Sequence, residues 1–162
     1  MQSFRIEFEA LGLTVVGADH HIYTTDQPLE MNDFEDYKLD LEVGAVVLGL
    51  DIEFTYSKLA LASLYLNELK LPFIVSNEDM FTNVNGRKFP SCGTLLQSIL
   101  ITLRDKTYEV VGKPNSFTIE LLRKEFTLGK CLMVGDNPLT DLKFGTAAGI
   151  DTCLVFTGVC CS

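Results

Sequence analysis

Residues 131–149 open with Cys131-Leu-Met-Val-Gly135-Asp136-Asn137-Pro138-Leu139-Thr140-Asp141 and run on through Gly145 to Gly149. An apolar run ends abruptly on a glycine and an acidic loop. A strand of an α/β sheet presents a carboxylate beyond its C-terminal end in this way. Leu139–Ala148 then has helical spacing, and Thr152–Phe156 reads as a further strand. Upstream, Tyr108-Glu-Val-Val111 is another strand, and Gly112-Lys113-Pro114 follows it. Between the two strands lies one helix, Phe117–Phe126, capped by Asn115 or Ser116 and stopped near Gly129. The strands can therefore be neighbours, with Lys113 and Asp136 on one rim. Carboxylates hold Mg²⁺, and a fixed ammonium offsets charge on transferring oxygens, so the pair points to phosphoryl chemistry. Taken singly, Gly-Lys-Pro is an ordinary turn and Thr140 or Asp141 a plain N-cap. Both elements in this order, with Gly145 and Gly149 following, favour the site.

The rest of the chain repeats the same alternation. A helix over Phe4–Leu11 closes at Gly12, and Leu13–Gly17 reads as a short strand. Residues 19–40 are a long polar connection with at most one helical turn near 30–37. Ala45–Leu50 is an apolar strand, Ser57–Leu69 an amphipathic helix capped by Thr55 or Ser57, and Phe73-Ile-Val75 a strand. Asn85-Gly86 signals a tight turn, and Cys92–Leu103 a helix. Strands alternating with helices of about ten residues imply βαβ crossovers and an α/β fold with a largely parallel sheet.

Composition narrows the partners. The 162 residues are 47% hydrophobic, enough for a core, and the formal charge is −9. That charge argues against nucleic acid or an anionic membrane, but not against a phosphate ester, since local cations can invert the field at a site. No apolar run reaches the ~18–20 residues of a membrane span. The N-terminal residues have no signal-like apolar region, so a cytoplasmic protein is expected. Cysteines 92, 131, 153, 160 and 161 are irregularly spaced and read as incidental thiols. The adjacent His20-His21 pair does not share a face of regular structure, which argues against a metal role.

Gly112-Lys113-Pro114 and Val134-Gly135-Asp136-Asn-Pro-Leu-Thr140-Asp141, with Gly145, Ala148-Gly149-Ile150 and Thr157-Gly158-Val159, resemble the haloacid dehalogenase (HAD) superfamily. The similar branch holds the 4-nitrophenylphosphatases, phosphoglycolate phosphatases and pyridoxal phosphatases. The resemblance extends to Val46–Asp51, Phe54-Thr-Tyr56, Lys58-Leu-Ala60, Ser76–Asp79 and Pro90–Gly93. It implies Mg²⁺-dependent hydrolysis of a small phosphorylated metabolite through an aspartyl-phosphate. Lys113 would bind the phosphoryl oxygens and orient the nucleophile, Asp136 would ligate Mg²⁺, and Asp141 would support the metal site from outside its ligand shell. Residues 1–107 would be an α/β cap, through which two copies could pair, and 108–162 the C-terminal part of the core.

The family's nucleophile lies in a D-x-D-G-T segment that is not among these residues. The chain then reads as a fragment, a mis-assigned start or a degenerate paralogue, with the nucleophile outside it. Two other readings compete. One is a catalytically inactive dimerising or regulatory module. The other is a compact phosphatase with Asp51 as nucleophile, Glu53 as acid/base and Ser76 as phosphate donor. Against the latter, Phe54 stands where the motif needs glycine and Glu53 where it needs aspartate. Capping or packing in the cap sheet is the plainer role for Asp51.

Overall fold

The computed structural model describes residues 2–17, 32–35, 37–125 and 129–158. His20, His21, Cys160 and Cys161 lie outside them, as does most of the 19–40 connection. Helix α1 (Gln2–Ala10) is followed by a turn at Gly12, whose φ of +78° favours a residue without a Cβ. The expected strand at Leu13–Gly17 does not form; these residues make no ladder and several are exposed. Their apolar side chains have a strand's pattern, but among the described residues no strand pairs with them. A single helical turn, α2 (Asn32–Glu35), follows.

Strand β1 (Val46–Leu48) leads into α3 (Tyr56–Leu64). Thr55 caps α3, its hydroxyl accepting from the Lys58 N–H. The helix widens by one residue per turn over Tyr65–Leu69 and stops at Lys70, which is left-handed. Then come β2 (Phe73–Val75), a hairpin of β3 (Phe81–Val84) and β4 (Arg87–Pro90), and α4 (Cys92–Leu100). Asn85 and Gly86 both take positive φ (50° and 78°), the twist a two-residue hairpin turn needs. After α4 come β5 (Glu109–Val110), α5 (Phe117–Glu125), β6 (Leu132–Gly135), a wide turn at Pro138–Leu142, α6 (Lys143–Ala148) and β7 (Asp151–Leu154).

The parallel pairing expected of the chain is present, but it is divided. Strands β1, β2 and β5 form one parallel sheet in that order, and β6 and β7 a second. The expectation that the strands before Lys113 and Asp136 are neighbours is therefore corrected. Strand β5 pairs with β2, in register Val75 to Val110, not with β6. The main core lies between the first sheet and its helices: Leu48, Phe73, Val75, Cys92, Leu96, Ile99, Leu100 and Leu103. A smaller core joins Ile119 of α5 to Phe144 and Ala148 of α6, over Met133. Burial of such side chains stabilises by roughly 1.5–3 kcal/mol each. No helix among the described residues is long and apolar enough to cross a membrane.

Candidate functional site

Although β5 and β6 do not pair, the loops after them meet. The Lys113 Nζ donates to Asp141 Oδ1 at 2.6 Å. Asp141 is 3% exposed, whereas the Lys113 side chain is 48% exposed. Chain direction explains both placements. Gly112 carries Lys113 off the end of β5, packed so closely on the Ser76 carbonyl that a Cβ would collide with it. Gly135 ends β6, and a Cβ there would overlap the Asp141 carboxylate. The turn at 138–142 is fixed by Asn137, whose Oδ1 accepts from the Leu139 N–H at 3.0 Å. The Asn137 N–H donates to Asp141 Oδ2 at 3.0 Å. Both Asp141 oxygens are thus engaged.

Burial opposes the charge on Asp141, but its partners outweigh that cost. The Lys113 ammonium and the N–H groups of Asn137 and Asp136 hold its carboxyl below the ordinary value of 3.8. Asp136 sits at the mouth of the same loop, its carboxylate against Gly158, where any Cβ would displace it. This gives Gly158 a physical role: it leaves a cradle for the acid.

Among the described residues, no group of three or more His, Cys, Asp or Glu side chains could hold a metal. Asp136, its carboxylate against Gly158, is the acid of this loop that could hold a hard cation. Mg²⁺ typically takes one or two protein carboxylates, with water and substrate oxygens completing its shell. Asp141 is the weaker candidate for a direct ligand, since it clasps Lys113.

The alternative set lies on the first sheet. Asp51 is 3% exposed, beyond the end of β1. Its Oδ2 accepts from the Lys58 Nζ at 2.7 Å, and its Oδ1 from the Glu53 N–H at 3.1 Å. Lys58 Nζ also donates to the Glu53 carbonyl at 3.1 Å. An attacking carboxylate needs an accessible oxygen, and both of these are engaged inside the protein. Ser76 lies next to the Cys92 thiol at 3.6 Å and accepts from Asn77 Nδ2 at 3.1 Å. Sequence reasoning missed Lys58 as the partner of Asp51. The seven-residue spacing from strand end to the first turn of a helix was the available signal. It also missed the tether of Tyr108 to Glu78, a 2.6 Å hydrogen bond that raises the phenol's pKa.

A HAD-hydrolase-like family profile matches residues 110–162, the stretch that holds Lys113, Asp136, Asp141 and Gly158. The C-terminal stretch of the chain is HAD-like by this match. It is 31% identical over 156 residues to glycerol-3-phosphate phosphatase of Rattus norvegicus, covering 94% of this chain and 47% of the relative. Among solved structures, it resembles a 4-nitrophenylphosphatase from Thermotoga maritima. The TM-score is 0.65 at 31% identity, covering 75% of this chain and 48% of the other. It also resembles a glycerol phosphate phosphatase from Mycobacterium tuberculosis in complex with calcium. There the TM-score is 0.67 at 26% identity, covering 73% and 34%. This HAD-like chain spans about half the length of the curated relatives it matches.

Proposed function

We propose that this HAD-like chain supplies the lysine and metal-binding half of a Mg²⁺-dependent phosphatase acting on small phosphate monoesters. The carrying observation is the Lys113–Asp141 pair at 2.6 Å beside the strand end that presents Asp136. Residues 1–107 act as the cap and 108–162 as part of the core. The names of the three relatives described above, each a phosphatase, support the reaction class. The calcium in one related structure supports a hard divalent cation.

Each group has a task in this reading. Asp141 is buried and ionised, so it fixes the Lys113 ammonium without a change of protonation at neutral pH. The half-exposed ammonium then faces the phosphoryl oxygens and offsets their charge. Asp136 holds Mg²⁺, which when bound polarises a phosphoryl oxygen. The attacking aspartate, which would form the aspartyl-phosphate as the alcohol leaves, lies outside these 162 residues. Asp51 serves structure, since its oxygens are committed to Lys58 and Glu53.

Turnover of 4-nitrophenyl phosphate by the natural polypeptide that carries this sequence tests the reading. Lys113→Ala and Asp136→Asn should each lower kcat/KM by about 10²–10³, the cost of removing one group that stabilises transition-state charge. Activity should require Mg²⁺. Full activity in Asp136→Asn, or turnover in excess chelator, overturns it.

A further inference from the structure

We propose that the turn Asp51–Glu53 is the leaving-group wall of this site, with Ile52 as the residue that contacts the organic part of the phosphate ester. This inference rests on the phosphatase reading and adds a substrate class to it: monoesters whose alcohol carries an apolar face.

Strands β1, β2 and β5 are parallel and adjacent in that order. Their C-terminal ends therefore release Asp51–Glu53, Ser76–Asn77 and Gly112–Lys113 along one rim. Ligands of open parallel sheets sit beyond that rim. Strands are spaced about 4.8 Å apart, so two steps separate the β1 and β5 loops by about 10 Å. On that spacing, the organic group of a phosphate ester held at Lys113 would reach across Ser76 and Asn77 to the β1 loop.

The β1 loop is built to hold one side chain outward. Asp51 is buried and ion-paired to Lys58, and the Glu53 N–H and carbonyl are both tied to that pair. Phe54 packs against the main core on the other side. Between these anchors, Ile52 is 92% exposed. A β-branched side chain has few rotamers to lose, and its backbone is already fixed, so contact with an apolar group costs little ordering entropy. Scattered surface isoleucines need no explanation, but this one stands on a turn tied to a buried ion pair, on the rim that carries Lys113.

Calorimetric titration of the natural polypeptide with phenylphosphonate and methylphosphonate tests this without relying on turnover. Phenylphosphonate should bind about tenfold tighter, the discrimination one apolar contact supplies. Ile52→Ser should reduce that preference to about twofold and leave methylphosphonate affinity unchanged, while Ile52→Leu should keep it. Lys113→Ala should abolish binding of both. If Lys113→Ala abolishes binding but Ile52→Ser shifts both ligands equally, or neither, the leaving-group wall is wrong and the phosphate site stands. If Lys113→Ala leaves binding intact, or the unsubstituted protein binds neither phosphonate, the phosphate site fails and the wall with it.

Discussion

Asp141 is the residue on which the proposed site turns, and its ionisation gives a pH signature. Its carboxyl is held below 3.8, first against burial and then by Lys113 and two backbone N–H groups. A group whose pKa is depressed by folding stabilises the fold fully above its unfolded pKa. That stability is lost as pH falls through the folded value. Urea unfolding between pH 2 and pH 6 should therefore show an acid limb below about pH 4 that Asp141→Asn flattens. The pair's contribution at neutral pH is modest, about 1 kcal/mol, because water screens the half-exposed lysine. Gly135 is the companion case. A methyl there would overlap the Asp141 carboxylate, whereas one at Gly44 would meet nothing within 4 Å. Gly135→Ala should cost about 1–3 kcal/mol by urea denaturation, and Gly44→Ala should stay within about 0.5 kcal/mol.

At the scale of elements, the turn between β1 and α3 carries a sharp energetic prediction. Lys58→Met leaves Asp51 buried without its cation and should destabilise by about 3–5 kcal/mol. Pairing it with Asp51→Asn should recover a large part of that loss in a double-mutant cycle. The elements themselves were legible where local chemistry decides. Phe73–Val75 is bounded as its three apolar residues suggest, Asn85-Gly86 turns a hairpin, and Thr55 caps a helix. What failed was non-local. Leu13–Gly17 has a strand's composition but, among the described residues, no strand paired with it. One helix separates β5 from β6, which lets them be neighbours, yet the two residues of β5 pair with β2. Periodicity reports which face is apolar; it does not report which strand lies alongside. The placement of the loop residues was legible for the opposite reason. Lys113 and Asp136 each follow a strand by a glycine, and the chain's direction puts each beyond the C-terminal end of its own strand. The clasp between Lys113 and Asp141 was not legible, because it joins loops 28 residues apart.

Over the whole molecule, the second sheet is covered unequally. Gly145 of α6 packs on Met133 and Thr152, one face of β6 and β7. On the other face, Leu132, Val134 and Cys153 are exposed. Parallel strands are ordinarily buried on both faces, so this apolar face favours association. Sedimentation should show the 162-residue chain self-associating, and Leu132→Thr with Val134→Thr should reduce that. The most direct measurement is 4-nitrophenyl phosphate hydrolysis by a folded sample of these 162 residues, with and without Mg²⁺, beside Lys113→Ala and Asp51→Asn. The expected result is no turnover, with inorganic phosphate still bound by ³¹P NMR and released in Lys113→Ala. Mg²⁺-dependent turnover that Asp51→Asn abolishes would contradict it, placing the nucleophile at the end of β1.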